Sequence, residues 1–257
     1  TGCYISNPLG HGLGMTSSAD GNTISQSTIS VNALSPFALS IINADSNIVT
    51  GCLISNPLGI GARIATGADY NTINQSTITS NSTVWPALLV AASSSNTFLS
   101  SYIQGSVAAE INGSTGTAFG GTVFVATNTI GDALQLDGGS VNLFVATSVF
   151  KAGPQGAGMH LFTGNSGLIA LTSSTITGGN IGVSIATMTC GSCNGNITMT
   201  SMTFSGGLTA GATAINFLGG TFTSTFTSVA FNDPNIAINV NGAFLDTAST
   251  ITMRTDA

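Results

Sequence analysis

Charge is what this chain has least of. Of 257 residues only 5% are Asp, Glu, Lys or Arg, and Lys and Arg together number three: Arg63, Lys151 and Arg254. Three cations cannot build the positive footprint that a phosphate backbone or an anionic lipid surface requires, which excludes nucleic acid as a partner. Long apolar runs are missing too. The longest, WPALLVAA at 85–92, falls far short of the roughly 20 residues that cross a bilayer as a helix, so no membrane span is expected. Tryptophan occurs once and proline six times. Disorder is also excluded, because it needs low hydrophobicity or high net charge, whereas here 42% of residues are apolar and the formal charge is only -6. Four cysteines are compatible with an oxidising compartment, and the first residue is Thr1, so a processed extracellular or cell-surface chain is expected.

What is present is repetition. TGCYISNPLG at 1–10 returns as TGCLISNPLG at 50–59, and laying 1–32 over 50–81 gives 20 identities in 32 positions. The stretches 1–49 and 50–98 therefore read as a tandem duplication of two coils each, and 99–257 as divergent coils of the same single domain. A shorter beat lies inside the duplication. SADGNTI, NADSNIV and GADYNTI align Asp20, Asp45 and Asp69 in one column, and Asn22, Asn47, Asn71 and Asn96 in another, at steps of 24 or 25. Nine residues after each Asp comes an isoleucine, within a ladder of Ile5, Ile29, Ile54, Ile78 and Ile103. Two places before the isoleucines runs a small-residue column of Cys3, Ser27, Cys52, Ser76 and Ser101. Residues two apart share a face of a strand, so both columns are expected to point inward.

A unit of about 25 residues with two or three short strands, Gly/Asn/Pro turns and no helical period predicts one coil of a parallel β-helix, and about ten such coils fit the chain. Crossover sterics favour the right hand. In its coil period and its Asn and Ile ladders the chain resembles the secreted parallel β-helix proteins, a broad group that includes pectin-lyase-like enzymes, filamentous haemagglutinins and autotransporter passengers. That resemblance implies the fold and leaves the activity open.

The candidate sites are few. Stacked on successive coils, Asp20, Asp45 and Asp69 are ordered here as corner residues bonding their own backbone first, a weak calcium site second and a glycosidase carboxylate set third. Cys190 and Cys193 form a C-x-x-C read as a loop disulfide. His11 and His160 find no partner at ligand or triad spacing and read as incidental. Trp85, Tyr70 and Tyr102 suit sugar stacking, but nothing in the sequence clusters them. Threonine-rich strands near the end suggest an ice-binding face as a minority reading. No cofactor motif appears.

The ladder residues Cys3 and Ile5 lie at the very start and Ile251 and Met253 at the very end, with no capping segment around them. Open ends of a parallel coil are mutually complementary, so Thr1, Cys3, Ile5, Ile251 and Met253 are expected to form a head-to-tail interface. The reading this favours is a non-enzymatic subunit of an extracellular filament whose partner is a second copy of itself. The alternatives are a surface adhesin that binds glycans, an ice binder, and a polysaccharide-active enzyme.

Overall fold

The coil predicted from the sequence is the one observed. A computed structural model describes residues 1–34, 37–162, 164–186, 195–205, 208–232, 235–241, 243–245 and 250–251. Each turn of the chain lays down three short strands, and each strand pairs in parallel with its equivalent in the next turn. Sheet A has ten strands, from Tyr4–Asn7 to Ala230–Phe231. Sheet B has ten, from Leu13–Thr16 to Ile236–Val240. Sheet C has eleven, starting at Thr23–Ser25, with Thr250–Ile251 joining the strand Gly220–Thr227 off the main path. The hand is right.

The isoleucine ladder sits in register on sheet A, with Ile5, Ile29, Ile54, Ile78 and Ile103 directly paired and all but Ile5 buried. Beyond the stretch of sequence identity the same column continues as Phe124, Phe150, Ile176, Phe204 and Phe231. The rings of Phe124 and Phe150 stack nearly parallel with centroids 4.8 Å apart, and Phe204 stacks on Phe231 at 5.3 Å. A strand spacing near 4.8 Å suits parallel ring stacking, which contributes about 1 kcal/mol per pair beyond area burial.

The Asn column closes the corner between sheets B and C. Asn22 N–H donates to Asn47 Oδ1 at 2.8 Å, Asn47 N–H to Asn71 Oδ1 at 2.9 Å and Asn71 N–H to Asn96 Oδ1 at 2.9 Å, so turn amides that no strand can pair, buried from Asn47 onward, find acceptors one coil away. The small-residue column does the same at the corner between sheets C and A. Cys52 N–H donates to Ser76 Oγ, Ser76 N–H to Ser101 Oγ, and higher up Ser148 N–H to Ser174 Oγ, at 3.1–3.2 Å.

One residue before each member of that column the backbone is left-handed. Gly2, Gln26, Gly51, Gln75, Ser100, Gly121, Thr147, Ser173, Ser201 and Ser228 all have φ between 47° and 66°. The sharp turn into sheet A demands this conformation in every coil, and the chain accepts its cost even where the residue is not glycine.

Candidate active site on sheet B

The outward face of sheet B collects the polar and ionisable groups that the ladders do not use. Its central column runs Gly14, Ser40, Arg63, Leu89, Glu110, Gln135, His160, Ser184, Asn216, Asn239 along the rod, each residue in register with the next. Two residues further along each strand lies a second outward column. There Asn112 pairs with Asp137, and Phe162 stands one coil above Asp137. Three successive coils thus present Glu110, Gln135 and His160 beside Asn112, Asp137 and Phe162. Glu110 Oε1 accepts from Asn112 Nδ2 at 3.2 Å, and the His160 and Phe162 rings stack with centroids 4.0 Å apart.

Asp132 completes the patch from the loop leading into sheet B. Its carboxylate is nearly buried. Oδ1 accepts the Ala157 N–H at 2.6 Å, and Oδ2 accepts Gln135 Nε2 at 2.8 Å and lies 3.0 Å from His160 Nδ1. A carboxylate that accepts from every side leaves Nδ1 the donor's role, so Nε2 of His160 carries a lone pair and can accept a proton. Gly131 makes the approach of this loop possible, because a β-carbon there would collide with the Ser106 carbonyl oxygen on the coil below.

Glu110 and Asp137 sit one coil and two residues apart on the same face, a backbone separation of about 8 Å from the strand rise and the coil spacing.

Below Glu110 the same face opens into a cleft of about 330 Å³ lined by Leu34, Phe37, Ile60, Arg63, Trp85 and Leu89. The guanidinium carbon of Arg63 lies 5.0 Å from the centre of the Phe37 ring, whose other neighbour is His11 at 5.5 Å. Trp85 is therefore clustered after all, with Phe37 and Arg63 rather than with the tyrosines.

The sequence-derived candidates are elsewhere. Asp20, Asp45 and Asp69 stand at the corner between sheets B and C, where Oδ1 of each accepts the N–H of the equivalent residue one coil on, Asp45, Asp69 and Ser94 respectively, at 2.6–2.8 Å. The partner is thus the next coil and not the residue's own backbone two places on. Among the described residues no group of three or more His, Cys, Asp and Glu side chains is placed to hold a metal ion. Thr1 and Cys3 are exposed and Ile5 is half-buried. Ile251 is placed by its backbone pairing with Phe226, and Met253, Cys190 and Cys193 lie outside the described residues. His160, read as incidental, is corrected: Asp132 is its partner, brought from 28 positions away by one turn of the coil. Glu110, Asp132, Gln135 and Asp137 escaped the sequence reading because they share no repeat position with the Asp ladder. Extending the isoleucine register past residue 105 would have placed them on one face. Threonines pair in register on sheet C as Thr172, Thr200 and Thr227, as Thr198, Thr225 and Thr250, and as Thr72 with Thr97, with Ala146 below Thr172 and Ala170 below Thr198.

The family model described as "Right handed beta helix region" matches residues 1–130, half of the chain. The chain belongs to that family. No curated protein matches the sequence. Among solved structures it is similar to a polygalacturonase from Erwinia carotovora ssp. carotovora, with a TM-score of 0.63 at 11% identity, covering 96% of this chain and 77% of that one. It is similar also to the catalytic domain of a GH87 alpha-1,3-glucanase in complex with nigerose, with a TM-score of 0.59 at 12% identity, covering 92% and 55%. A third is pectate lyase Pel9A, with a TM-score of 0.57 at 13% identity, covering 97% and 71%. The chain thus spans about half the length of the glucanase domain.

These neighbours overturn the expectation of a non-enzymatic filament subunit. These three solved structures are polysaccharide-active enzymes, and since this chain spans only part of each, its first and last rungs carry no argument for end-to-end stacking. No helix among the described residues is long and apolar enough to cross a membrane.

Proposed function

We propose that this protein is an extracellular polysaccharide-active enzyme that binds a glycan chain along the outward face of sheet B. The observation that carries the reading is the patch of Glu110, Asp137 and the Asp132–His160 pair, in register on three successive coils beside an aromatic cleft. A long flat sheet with ionisable groups midway along it suits an extended polymer that is cut internally. The polysaccharide-active fold neighbours support the same reading at the level of the coil.

In this reading one of Glu110 and Asp137, in its protonated form, gives a proton to the glycosidic oxygen as the bond from that oxygen to the anomeric carbon breaks. The other takes a proton from the water whose oxygen joins the anomeric carbon. His160, held by Asp132 and backed by the Phe162 ring, binds a sugar hydroxyl through Nε2. A second reading rests on the same pair: Nε2 of His160 as the base that removes the proton α to a uronate carboxylate, with elimination of the leaving oxygen. The products separate the two, since elimination leaves an unsaturated sugar that absorbs in the ultraviolet.

The test is digestion of a panel of neutral and acidic polysaccharides by the native protein and by Glu110→Gln and Asp137→Asn. Hydrolysis predicts new reducing ends and a loss of about 10²–10⁴-fold in rate for each variant. A native protein that cuts no glycan, or variants as active as the native protein, would sink the reading.

A further inference from the structure

The cleft beneath the catalytic patch holds a charge with no counterpart. Arg63 lies in the central outward column of sheet B, between Ser40 below and Leu89 above. Its Nε is shut off from water and has no hydrogen-bond partner, and among the described residues no carboxylate lies within ion-pair distance of Arg63. The chain contains nine acidic residues and three basic ones, so a carboxylate for Arg63 was far easier to supply than the arginine itself. Instead its surroundings are Leu34, Phe37, Ile60, Trp85 and Leu89. Stacking on Phe37 holds the guanidinium plane but accepts none of its five donors in a directed bond. Arg63 as a whole is half-buried, but a guanidinium whose Nε is shut off from water without a partner carries a cost in the free protein, which is offset when a ligand brings the anion.

The rest of the lining tells what carries that anion. Trp85 is 46% exposed and Leu34 72% exposed, so the cleft offers flat apolar surface at its mouth rather than a closed pore. A phosphate or sulfate group alone would use the charge and leave the indole idle. A sugar ring stacks its C–H face on an aromatic ring, and a carboxyl group on that sugar reaches a cation beside it. The cleft also adjoins Glu110 through Leu89, its neighbour in register, so a chain seated here runs directly into the patch.

We propose that the cleft of Phe37, Arg63 and Trp85 is a subsite for a uronic-acid residue, and that the glycan on sheet B is therefore an acidic one. This rests on sheet B being the glycan-binding face. Arg63 pairs with the sugar carboxylate and Trp85 carries the ring. Arg63 takes no part in bond cleavage and selects the substrate by charge.

The test uses the one tryptophan of the chain as its own reporter. The emission of Trp85 is followed while a uronic-acid trisaccharide is titrated into the full chain, and again with the same trisaccharide after its carboxyl groups are reduced to alcohols. The expected result is saturable binding of the acid, at least tenfold weaker binding of the reduced sugar, and at least tenfold weaker binding of the acid by Arg63→Met with no change for the reduced sugar. Arg63→Lys keeps charge without the planar fork, should fall between the two, and serves if the Met variant fails to fold. Equal affinity for acid and reduced sugar, an unaffected Arg63 variant, or no saturable change would overturn the proposal. The outcome is separable from that of the proposed activity. Arg63-dependent binding in a protein that cuts no glycan leaves the subsite standing, and cleavage of neutral glycans with Arg63 silent removes the subsite and leaves the enzyme.

Discussion

Nδ1 of His160 lies 3.0 Å from Oδ2 of Asp132, although the two residues are separated by 28 positions and a full turn of the coil. Asp132 also receives the Ala157 amide and the Gln135 side chain, so its carboxylate fixes at once the start of the strand that carries His160, the Gln135 side chain on the strand beneath it and the tautomer of the ring. Position and tautomer are set by one residue.

Replacing Asp132 with Asn should separate these roles. The amide oxygen can still accept the Ala157 N–H, but the amide nitrogen turns a donor toward Gln135 Nε2 and His160. The ring then carries its proton on Nε2 and loses its free acceptor. The expected outcome is a fold unchanged by circular dichroism with glycan turnover reduced about 10²-fold or more. Asp132→Ala, which strips the Ala157 amide of its acceptor, should in addition lower stability to urea by about 1–3 kcal/mol.

The Asn ladder offers a graded test. Asn71 is fully buried; its Oδ1 accepts the Asn47 amide and its Nδ2 donates to the carbonyls of Ala44 and Asp69. Asn71→Ala leaves several buried groups unpaired and should cost about 3 kcal/mol in urea unfolding. Asn22→Ala, at the exposed end of the same column, should cost less than about 1 kcal/mol. Equal effects at the two sites would show that the ladder's energy does not depend on burial.

The left-handed column isolates backbone strain. At Gly51 a β-carbon would meet nothing closer than 3.8 Å, so Gly51→Ala introduces no clash and only forces an L residue to φ near 62°. The cost should be about 1 kcal/mol by urea unfolding. Gln75→Gly, at the same place one coil on, should be neutral or stabilising, because glycine relieves the strain it adds to in chain entropy.

Much of the coil was written in the sequence. A stacked fold repeats each contact every 24 or 25 residues, so Ile29, Ile54 and Ile78, or Asn47, Asn71 and Asn96, must recur in step, and the recurrence discloses register, inward face and corner alike. The phenylalanine continuation of the isoleucine column was harder to see, because burial constrains the size and apolarity of a side chain and not its identity. The site was legible only through the register: extending it past residue 105 brings its residues to one face, but nothing in the sequence singles them out there. Glu110, Asp132, Asp137 and His160 each occur once in their columns, and function requires them once, so no period marks them. Sequence alone therefore determined the repeating unit, its stacking and the nearly uncharged surface, all of which follow from backbone pairing and burial applied identically in every coil. The tertiary structure decided which unrepeated residues meet, because the coil turns a separation of 28 positions into a hydrogen bond and sets Arg63 beside Phe37 and Trp85, contacts that depend on loop paths and not on the period.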